Sequence, residues 1–351
     1  MPVSSKHIDP FALTRQLIEI ESPTFHENAV GEFLVGTLRE LGYNVETMSV
    51  PQPDPRLVPG AGLEPRFNVY AVPPGPTPEI VFSTHMDTVP PYVPYREDSD
   101  FIYGRGACDA KGIIAAQIAA SLLLWDRGIP IGLLFLVGEE RDSAGAKVAN
   151  TQPKGSRYLI NGEPTDSRLA LASKGSLRVD LRARGRMAHS AYPELGESAI
   201  AKLVEVLHDI QQISLPIEET IGPSTLNIGL ISGGRAPNVI ADAAEAHLLI
   251  RLVGPADEIK QMVETTVGSR AEISYSFEVP LVRMRTLGGL PTMIANFTTD
   301  IPSLTAWGEP FLLGPGSIHV AHTPDERLSK EEMLRCIDLY VRVATELASP
   351  A

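Results

Sequence analysis

Short apolar runs alternate with helical stretches between residues 80 and 161. Three of these runs have the length of buried strands, namely Ile80–Thr84, Ile131–Val137 and Tyr158–Asn161. A helical stretch over Ala110–Asp126 separates the first two runs, and another helix is expected between the second and the third. Strands that are joined by helices run parallel within one sheet. The sequence therefore predicts an α/β fold built on a mixed, mostly parallel sheet.

Further elements are predicted before this core. Residues 8–20 and 27–41 are expected to form helices, and Thr24 with Glu27 matches the capping box that opens a helix. Residues 42–78 are rich in proline and glycine, which predicts strands interrupted by surface turns.

The pattern changes after Glu163. Ser176–Arg184 and Ala243–Leu252 alternate apolar and polar residues, with a predicted helix at 197–213 between them. Such alternation is typical of a sheet with one exposed face. We therefore expect an inserted α+β domain at 173–283.

The α/β pattern returns after the insertion and ends in a predicted helix over Ser329–Leu347. With 351 residues, the chain exceeds the usual size of a single hydrophobic core, so two domains are expected. We assign residues 1–172 and 284–351 to one domain and residues 173–283 to the other.

Composition and charge exclude several classes of partner. The chain has 43 Asp and Glu residues against 30 Lys and Arg residues, and its formal charge of −13 repels nucleic acid and anionic lipid surfaces. The longest apolar stretch, Ile113–Trp125, falls short of the roughly 20 residues that span a bilayer. The first residues lack the apolar run of a signal peptide, so we expect a cytoplasmic protein.

Cysteine usage restricts the kind of metal site that is possible. Only Cys108 and Cys336 occur, which is too few for a disulfide framework or a Cys-rich zinc module. Any metal must therefore be held by histidines and carboxylates.

Polar side chains follow the first apolar run directly. His85 and Asp87 would lie near the carboxyl end of that strand, where open α/β sheets place their ligands. A carboxylate at this spacing can orient an imidazole that binds a metal through its other nitrogen. The alternative is a pair of ordinary polar turn residues.

Asp109 lies in a glycine-rich turn before a predicted helix. The stretch Gly104–Gly112 is no dinucleotide-binding motif, because Asp109 stands where that motif requires its third glycine. The Asp109 carboxylate would either cap the helix or bridge two cations.

Carboxylates also follow the second and third apolar runs. Glu139 and Glu140 are adjacent at the end of a buried strand, where like charges resist burial unless a cation lies nearby. A solvated loop that begins early is the alternative. Glu163 follows its strand in the same way. Four successive strand ends thus carry a histidine or a carboxylate, and we expect them to meet on one rim of the sheet.

One ordered set of histidines and acidic residues resembles the signature of a known enzyme family. The set comprises His85, Asp87, Asp109, Glu139, Glu140, Glu163 and His322. The family is that of the co-catalytic zinc enzymes, which includes acetylornithine deacetylase, succinyl-diaminopimelate desuccinylase, aminoacylase and carboxypeptidase G. The resemblance covers nearly the whole chain and extends to the stretches Gly185–Pro193 and Gly233–Ile240. It implies a zinc-exopeptidase-like catalytic domain with an inserted, ferredoxin-like lid domain through which two chains form a homodimer.

The resemblance implies a ligand set for two metal ions. His85 and Glu163 would bind one ion, Glu140 and His322 would bind the other, and Asp109 would bridge them. Ligands without thiolate suit zinc, with cobalt or manganese as alternatives.

The same resemblance implies two further roles beside the ligands. Asp87 would orient His85. Glu139 would be the general base that takes a proton from the attacking water and returns it to the departing amine. His322 is preferred to its neighbour His319 because of the resemblance, and no spacing argument separates them.

Residues outside the metal set are implied to meet the substrate. His189 would reach the active site of the partner subunit and hydrogen-bond the developing oxyanion. Asn238 and Arg251 match lid positions that hold the oxygen and carboxylate groups of the substrate, although Arg251 could equally be a surface charge on a strand. Gly316 and Ser317 would meet the substrate carboxylate through backbone and hydroxyl donors.

The resemblance implies a zinc-dependent amidohydrolase that acts on a small-molecule N-acyl amino acid. The stretch from Gly314 to Glu326 is most similar to the acetylornithine and acetyl-lysine deacetylases, which favours deacetylation of ornithine or lysine in arginine or lysine biosynthesis. The same metals would also serve a succinyl-diaminopimelate desuccinylase, a hydrolase that frees lysine or ornithine from a carrier protein, or a dipeptidase or aminopeptidase.

Other classes of protein fit the sequence less well. A binding protein that kept the metal site would not need Glu139 beside its ligands. A serine hydrolase would need a Gly-x-Ser-x-Gly turn, which the sequence lacks. A zincin helix is excluded because His26-Glu27 is followed by Val30 where the second histidine should stand.

Overall fold

The computed structural model describes residues 7–54, 56, 58 and 60–349. Within them the chain forms seven α-helices, which are α1 (Pro10–Ile18), α2 (Asn28–Glu40), α3 (Lys111–Asp126), α4 (Ala144–Asn150), α5 (Ala199–Gln211), α6 (Ala256–Val267) and α7 (Lys330–Ala348). All the predicted helices are present within a few residues of their expected ends. None of the described helices is long and apolar enough to cross a membrane.

The strands form five sheets among the described residues. In chain order they are β1 (Asn44–Val50), β2 (Arg66–Val72), β3 (Ile80–His85), β4 (Arg96–Glu97), β5 (Phe101–Tyr103), β6 (Ile131–Leu136), β7 (Tyr158–Asn161), β8 (Leu169–Ser173), β9 (Gly175–Arg184), β10 (Ile217–Glu218), β11 (Gly222–Pro223), β12 (Thr225–Gly233), β13 (Ala243–Leu252), β14 (Glu272–Val279), β15 (Val282–Arg283), β16 (Thr292–Ala295), β17 (Glu309–Leu312) and β18 (Arg327–Ser329).

The chain divides into two compact units. The first comprises the residues up to Leu171, Met284–Met293 and the residues from Thr299 onward, and the second comprises Ala172–Arg283 and Ile294–Thr298. The last of these segments, Ile294–Thr298, was predicted to belong to the first domain. It groups with the second unit, where Ala295 O accepts a hydrogen bond from the Lys174 N–H at 2.9 Å.

A six-stranded mixed sheet forms the centre of the first unit. Its strand order is β1-β2-β6-β3-β7-β17, and β6, β3, β7 and β17 run parallel to one another. At one edge β2 runs antiparallel to β6, and β1 runs antiparallel to β2. Strands β3, β6 and β7 are buried along their whole length, as is usual for parallel strands covered by helices. The predicted α/β fold with a mixed, mostly parallel sheet is thereby confirmed.

Helix α3 is the central helix of the first unit. Its apolar residues surround the helix on all sides, and a helix of this kind is stable only when it is buried. It contacts α1, α7, β3 and β6. Because α3 is held on several sides, its first turn is a fixed point, and the loop with Asp109 ends there.

The second unit has the ferredoxin-like arrangement that the resemblance implied. Its elements follow the order β9-α5-β12-β13-α6-β14, and the antiparallel sheet has the strand order β12-β13-β9-β14. Alternate residues of β13 are buried, which confirms the predicted half-exposed sheet. Helix α6 was not predicted, although Ile259, Val263 and Val267 recur at helical spacing and are its buried residues.

The capping box predicted at the start of α2 is wrong. Glu27 stands at the N-cap position of α2 and makes no side-chain capping bond. Its carboxylate instead accepts hydrogen bonds from Arg66 Nε at 2.9 Å and Nη2 at 2.7 Å, and both side chains are fully buried. The Thr24 hydroxyl donates to Asp87 at 2.7 Å. A buried guanidinium and a buried carboxylate each require a partner, and these demands outweigh local capping.

Candidate metal centre

Parallel pairing brings His85 and Glu163 to the same edge of the main sheet. Strand β3 ends at His85 and pairs with β7, with Ser83 opposite Asn161. His85 and Glu163 follow these matched residues by the same number of positions, so they leave the sheet side by side. The Gly162 N–H donates to Ser83 O at 2.7 Å, which continues the pairing beyond the strand.

Glu139 and Glu140 leave the same edge from β6. His85 pairs with Leu136 in the parallel register, so the two glutamates begin shortly beyond that pair. Gly138 turns the chain between the strand and the glutamates with a φ of +82°, a conformation that glycine adopts without strain.

Asp109 and His322 reach the site from a smaller sheet. The loop with Asp109 follows β5, and the loop with His322 precedes β18. These two strands pair with each other in the sheet β18-β5-β4. The expectation that Asp109 follows another strand of the main sheet is therefore wrong. The three-residue strand β5 is only partly buried, so it leaves no apolar run that sequence analysis could recognise.

The two carboxylate oxygens of Asp109 face two different histidines. Asp109 Oδ1 lies 2.9 Å from His85 Nε2, and Asp109 Oδ2 lies 3.2 Å from His322 Nε2. His322 Nε2 is also 3.0 Å from Glu140 Oε1. Asp109 thus stands between one group of side chains that contains His85 and another that contains His322 and Glu140.

The protonation of His85 follows from its hydrogen bonds. Its Nδ1 lies 2.9 Å from the main-chain oxygen of Asp87, which can only accept a hydrogen bond. In the neutral imidazole the proton is therefore on Nδ1, and Nε2 presents its lone pair towards Asp109. Such a lone pair is what a metal ion requires.

The Asp87 carboxylate holds the backbone of the two glutamates. Oδ1 accepts the Glu139 N–H at 3.1 Å, and Oδ2 accepts the Glu140 N–H at 3.3 Å together with the Thr24 hydroxyl. The carboxylate also lies 3.5 Å from His85 Nδ1. Asp87 therefore contacts His85 mainly through its main chain, while its side chain fixes the loop with Glu139.

Negative charge is in excess around Asp109. Burial raises the pKa of Glu140, and the charge of Asp109 adds to the rise. Burial also raises the pKa of Glu163 well above its ordinary value, although His85 opposes the rise. Hydrogen bonds to Asp109 and Glu140 raise the pKa of His322 to about 10. A cation at this position would neutralise the surplus charge.

The donor set fits divalent metal ions. Among the described residues, His85, Asp109 and Glu140 form a group whose ligand atoms lie within 4.8 Å of one another. Glu163 adds a buried Oε1 that has no hydrogen-bond partner in the described structure. Imidazole nitrogens and carboxylate oxygens are ligands that zinc accepts in four-coordinate sites.

Asp300 is a buried acid of this region that sequence analysis did not select. Its carboxylate is buried, and the Ser143 side chain lies close enough to oppose the effect of that burial. Burial raises its pKa to about 7, and its charge acts on Glu139 and Glu163. The sequence presents Asp300 only as part of a Thr-Asp turn, which gives no sign of burial.

The predicted lid residues lie in the second unit. His189 and Asn238 are exposed and adjacent, because the Ser190 N–H donates to Asn238 O at 3.0 Å and His189 pairs with Val239. The two stretches that carried the resemblance are thus neighbours in space. Arg251 is half-buried on β13, where burial lowers its pKa.

One predicted substrate donor is already engaged. The Gly316 N–H donates to Glu332 Oε1 at 2.9 Å, so it is not free to meet a substrate carboxylate. Ser317 is half-buried beside it and pairs with Thr165 in an isolated bridge.

Comparison with known proteins identifies relatives across almost the whole chain. Residues 171–273 match the family model described as a peptidase dimerisation domain. A protein of Ajellomyces capsulatus named probable carboxypeptidase is 36% identical over 95% of this chain and 85% of its own length. A peptidase M20 domain-containing protein of Schizosaccharomyces pombe is also 36% identical, over 95% of this chain and 83% of its own length.

Solved structures share the fold at lower sequence identity. A tripeptidase from Staphylococcus aureus superposes with a TM-score of 0.77 and 21% identity, covering 96% of this chain and 98% of its own. The YXEP protein of Bacillus subtilis, described as a dinuclear metal binding peptidase of the M20 family, gives a TM-score of 0.66 and 15% identity over 96% and 97%.

These similarities extend the match beyond the dimerisation domain to the unit that carries the histidines and carboxylates. The named relatives are peptidases, whereas the deacetylase and desuccinylase branches of the resemblance find no support among them. The chain belongs to the M20 peptidase family and is a metallopeptidase hydrolase.

Proposed function

We propose that this enzyme is a carboxypeptidase that releases an amino acid with a free carboxylate from the amide bond to its acyl or peptidyl group. The observation that carries the proposal is the position of Asp109, whose two oxygens face His85 and His322. This arrangement supports two metal ions beside one general base. Relatives named probable carboxypeptidase support cleavage at the carboxyl end of the substrate.

Five side chains would hold the two metal ions. One ion would be bound by His85 and Glu163, the other by Glu140 and His322, and Asp109 would bridge them. When bound, the two cations polarise the amide carbonyl, lower the pKa of the attacking water and stabilise the oxyanion. We propose zinc as the natural metal, since the donors are nitrogen and oxygen, with cobalt or manganese able to replace it.

Glu139 is the general base of the proposed reaction. It takes a proton from water as the water attacks the carbonyl carbon, and it returns that proton to the nitrogen as the amide bond breaks. Two observations support this role: its backbone N–H is held by Asp87, and its neighbour Glu140 contacts His322. The base is therefore anchored beside the ligands through its main chain.

The second unit is proposed to join two chains into a homodimer. Strand β12 lies at the edge of its sheet, and Leu230 and Ile231 on this strand are 67% and 55% exposed. Val204 on α5, which packs against β12, is also exposed. An unpaired edge beside apolar side chains fits a symmetric contact with a second copy. In such a dimer His189 would serve the neighbouring active site as an oxyanion donor.

Substrate contacts are proposed for three residues of the chain. Asn238 and Arg251 would hold the oxygen and the carboxylate of the substrate, and Ser317 would add a hydroxyl donor. An arginine guanidinium is charged at neutral pH, and its planar set of donors matches a carboxylate, as recognition of the substrate requires. Gly316 is removed from this set because its N–H donates to Glu332.

Deacetylation of acetylornithine or acetyl-lysine is the second candidate. It is favoured by the stretch from Gly314 to Glu326, which resembles the deacetylases, and it would place the enzyme in arginine or lysine biosynthesis. Both candidates cleave an amide whose nitrogen belongs to an amino acid with a free carboxylate. They differ in the group on the acyl side.

A substrate panel separates these functions. We expect the zinc-loaded enzyme to hydrolyse N-blocked dipeptides with a free carboxylate and to reject the same dipeptides with an amidated carboxyl end. Preference for acetylornithine or acetyl-lysine over the blocked dipeptides would select the deacetylase. Hydrolysis that needs a free amino end and tolerates the amidated carboxyl end would contradict the proposal and indicate an aminopeptidase.

We also propose that the protein works in the cytoplasm. Its two cysteines, Cys108 and Cys336, are free and buried, which suits a reducing compartment. Fractionation of cells that produce the tagged protein tests this location.

A further inference from the structure

A single buried carboxylate binds three main-chain N–H groups of the loop that ends at Asp109. Glu326 Oε1 accepts hydrogen bonds from three N–H groups of this loop, those of Gly106 at 2.9 Å, Cys108 at 3.3 Å and Asp109 at 3.2 Å. Glu326 Oε2 accepts a bond from Arg105 Nη1 at 2.6 Å. Glu326 is 1% exposed, so water does not replace these contacts.

Strand pairing fixes the position of Glu326 opposite this loop. In the antiparallel pair of β18 and β5, Arg327 lies opposite Tyr103. The next pair outward is Glu326 with Gly104, and the Gly104 N–H donates to Glu326 O at 3.1 Å. Glu326 therefore binds the loop through its main chain as well as its side chain, and His322 lies just before it in the chain.

The loop is shaped to turn its N–H groups towards one acceptor. Gly106 has a φ of +89°, and a Cβ at this residue would come within 2.7 Å of the Lys111 side chain. Successive N–H groups that point into one concavity form a binding site for an anion. In this chain the anion is the Glu326 carboxylate, which leaves the Asp109 side chain free to face His85 and His322.

The charge of Glu326 is balanced locally. Its neighbour Asp109 is also a buried acid, so the negative charge of Glu326 requires a cation nearby. Arg105, which is 3% exposed, supplies the opposing charge, and its Nε donates to Pro91 O at 3.2 Å. A neutral side chain at residue 326 could not accept from the loop and from the guanidinium with equal strength.

We propose that Glu326 is a positioning residue for the bridging ligand Asp109. It holds the loop so that each oxygen of Asp109 meets one histidine, and it ties this loop to the segment that carries His322. The proposal rests on the two-metal site of the proposed function. Partners that orient a metal ligand in this way typically change metal affinity or activity by about 10- to 100-fold when they are lost.

The test compares the wild-type enzyme with the Glu326→Gln variant. This change keeps the shape but places an amide NH₂ group against either the loop N–H groups or Arg105. We expect the affinity for Co²⁺, measured by competition with a chelator, to fall by about 10- to 100-fold. The visible absorption of the Co²⁺-loaded variant should also differ from that of the wild type, because the Asp109 carboxylate is turned.

A control variant separates positioning from general stability. Leu38 lies on α2 of the same unit, and Leu38→Ala opens a cavity in the hydrophobic core. This variant should lower stability without changing the Co²⁺ affinity or the visible absorption of the bound Co²⁺. If Glu326→Gln does not fold, Arg105→Lys serves as the second variant. It keeps the positive charge but loses the planar guanidinium that donates to Glu326 Oε2. It should then lower Co²⁺ affinity in the same direction by a smaller factor.

The outcomes distinguish this inference from the proposed function. A wild-type enzyme that binds no more than one Co²⁺ refutes the two-metal site on which the inference rests. A wild-type enzyme that binds two ions, beside a folded Glu326→Gln variant with unchanged affinity and absorption, refutes the positioning role alone. If only Arg105→Lys folds, unchanged affinity in that variant refutes it as well.

Discussion

Glu139 and Glu140 are adjacent in the chain, yet their contacts differ. The N–H groups of both glutamates donate to Asp87, and the Glu140 side chain also meets His322, whose Nε2 lies 3.0 Å from Glu140 Oε1. The sequence alone predicts that paired carboxylates at a strand end are unusual. It could not divide their roles from the pattern, because the division depends on His322, which lies far along the chain.

Replacing Glu139 tests the division directly. We expect Glu139→Gln to keep both metal ions and to lose kcat by roughly a hundredfold or more, because the base is gone and the ligands remain. Glu140→Gln is the matched control, since it should lose metal as well as activity. Turnover and bound metal are measured on the same preparations. Near-normal turnover in Glu139→Gln would show that another group takes the proton.

Asp300 and Glu326 mark where residue-level prediction ends. Both are buried acids that act on the candidate site, and neither was assigned a role from the sequence, although Glu326 ends the stretch that resembles the deacetylases. Their contacts come from loops brought together by strand pairing and by the turn at Asp300. Only the folded chain shows that Glu326 meets the loop with Asp109.

The segment between α1 and α2 shows how tertiary contacts override local signals. Thr24 and Glu27 have the capping-box spacing, but Thr24 donates to Asp87 and Glu27 pairs with Arg66 on β2. The long apolar runs gave correct predictions for β3, β6 and β7 because buried parallel strands must be apolar. Short strands such as β5 carry no such signal, and they are the ones that place Asp109 and His322.

The Glu27–Arg66 pair predicts a measurable cost at the level of the element. We expect Glu27→Gln to lower the free energy of unfolding by about 3–5 kcal/mol, because the Arg66 charge stays buried without its partner. Glu32→Gln on the exposed side of the same helix is the control and should change it by less than about 0.5 kcal/mol. Urea unfolding measures both. Equal, small changes in the free energy of unfolding of the two variants would show that the Glu27–Arg66 pair does not stabilise the fold.

At the scale of the whole molecule, the sequence already indicated a second domain inserted in the first. The half-exposed alternation of β9 and β13 predicted its sheet, and the resemblance implied its ferredoxin-like order. How two copies associate does not follow from a pattern within one chain, since a symmetric contact needs only a few exposed apolar residues such as Leu230 and Ile231.

Subunit complementation tests the proposed homodimer. We expect His189→Ala and Glu139→Gln to be inactive alone and to recover activity when their chains exchange. Each mixed dimer would hold one site with Glu139 from one chain and His189 from the other. Full random exchange should restore about a quarter of the wild-type activity. Exchange is verified with differently tagged chains, and mixed dimers that stay inactive would place His189 outside the neighbouring site.

The number of metal ions needed for turnover tests the central claim most directly. The enzyme is freed of metal with a chelator and titrated with Zn²⁺ while hydrolysis of an N-blocked dipeptide is followed. Because Asp109 faces two separate sets of ligands, we expect activity to rise until about two equivalents per chain are bound. Full activity at one equivalent, or a ceiling of one bound ion, would contradict the two-metal site.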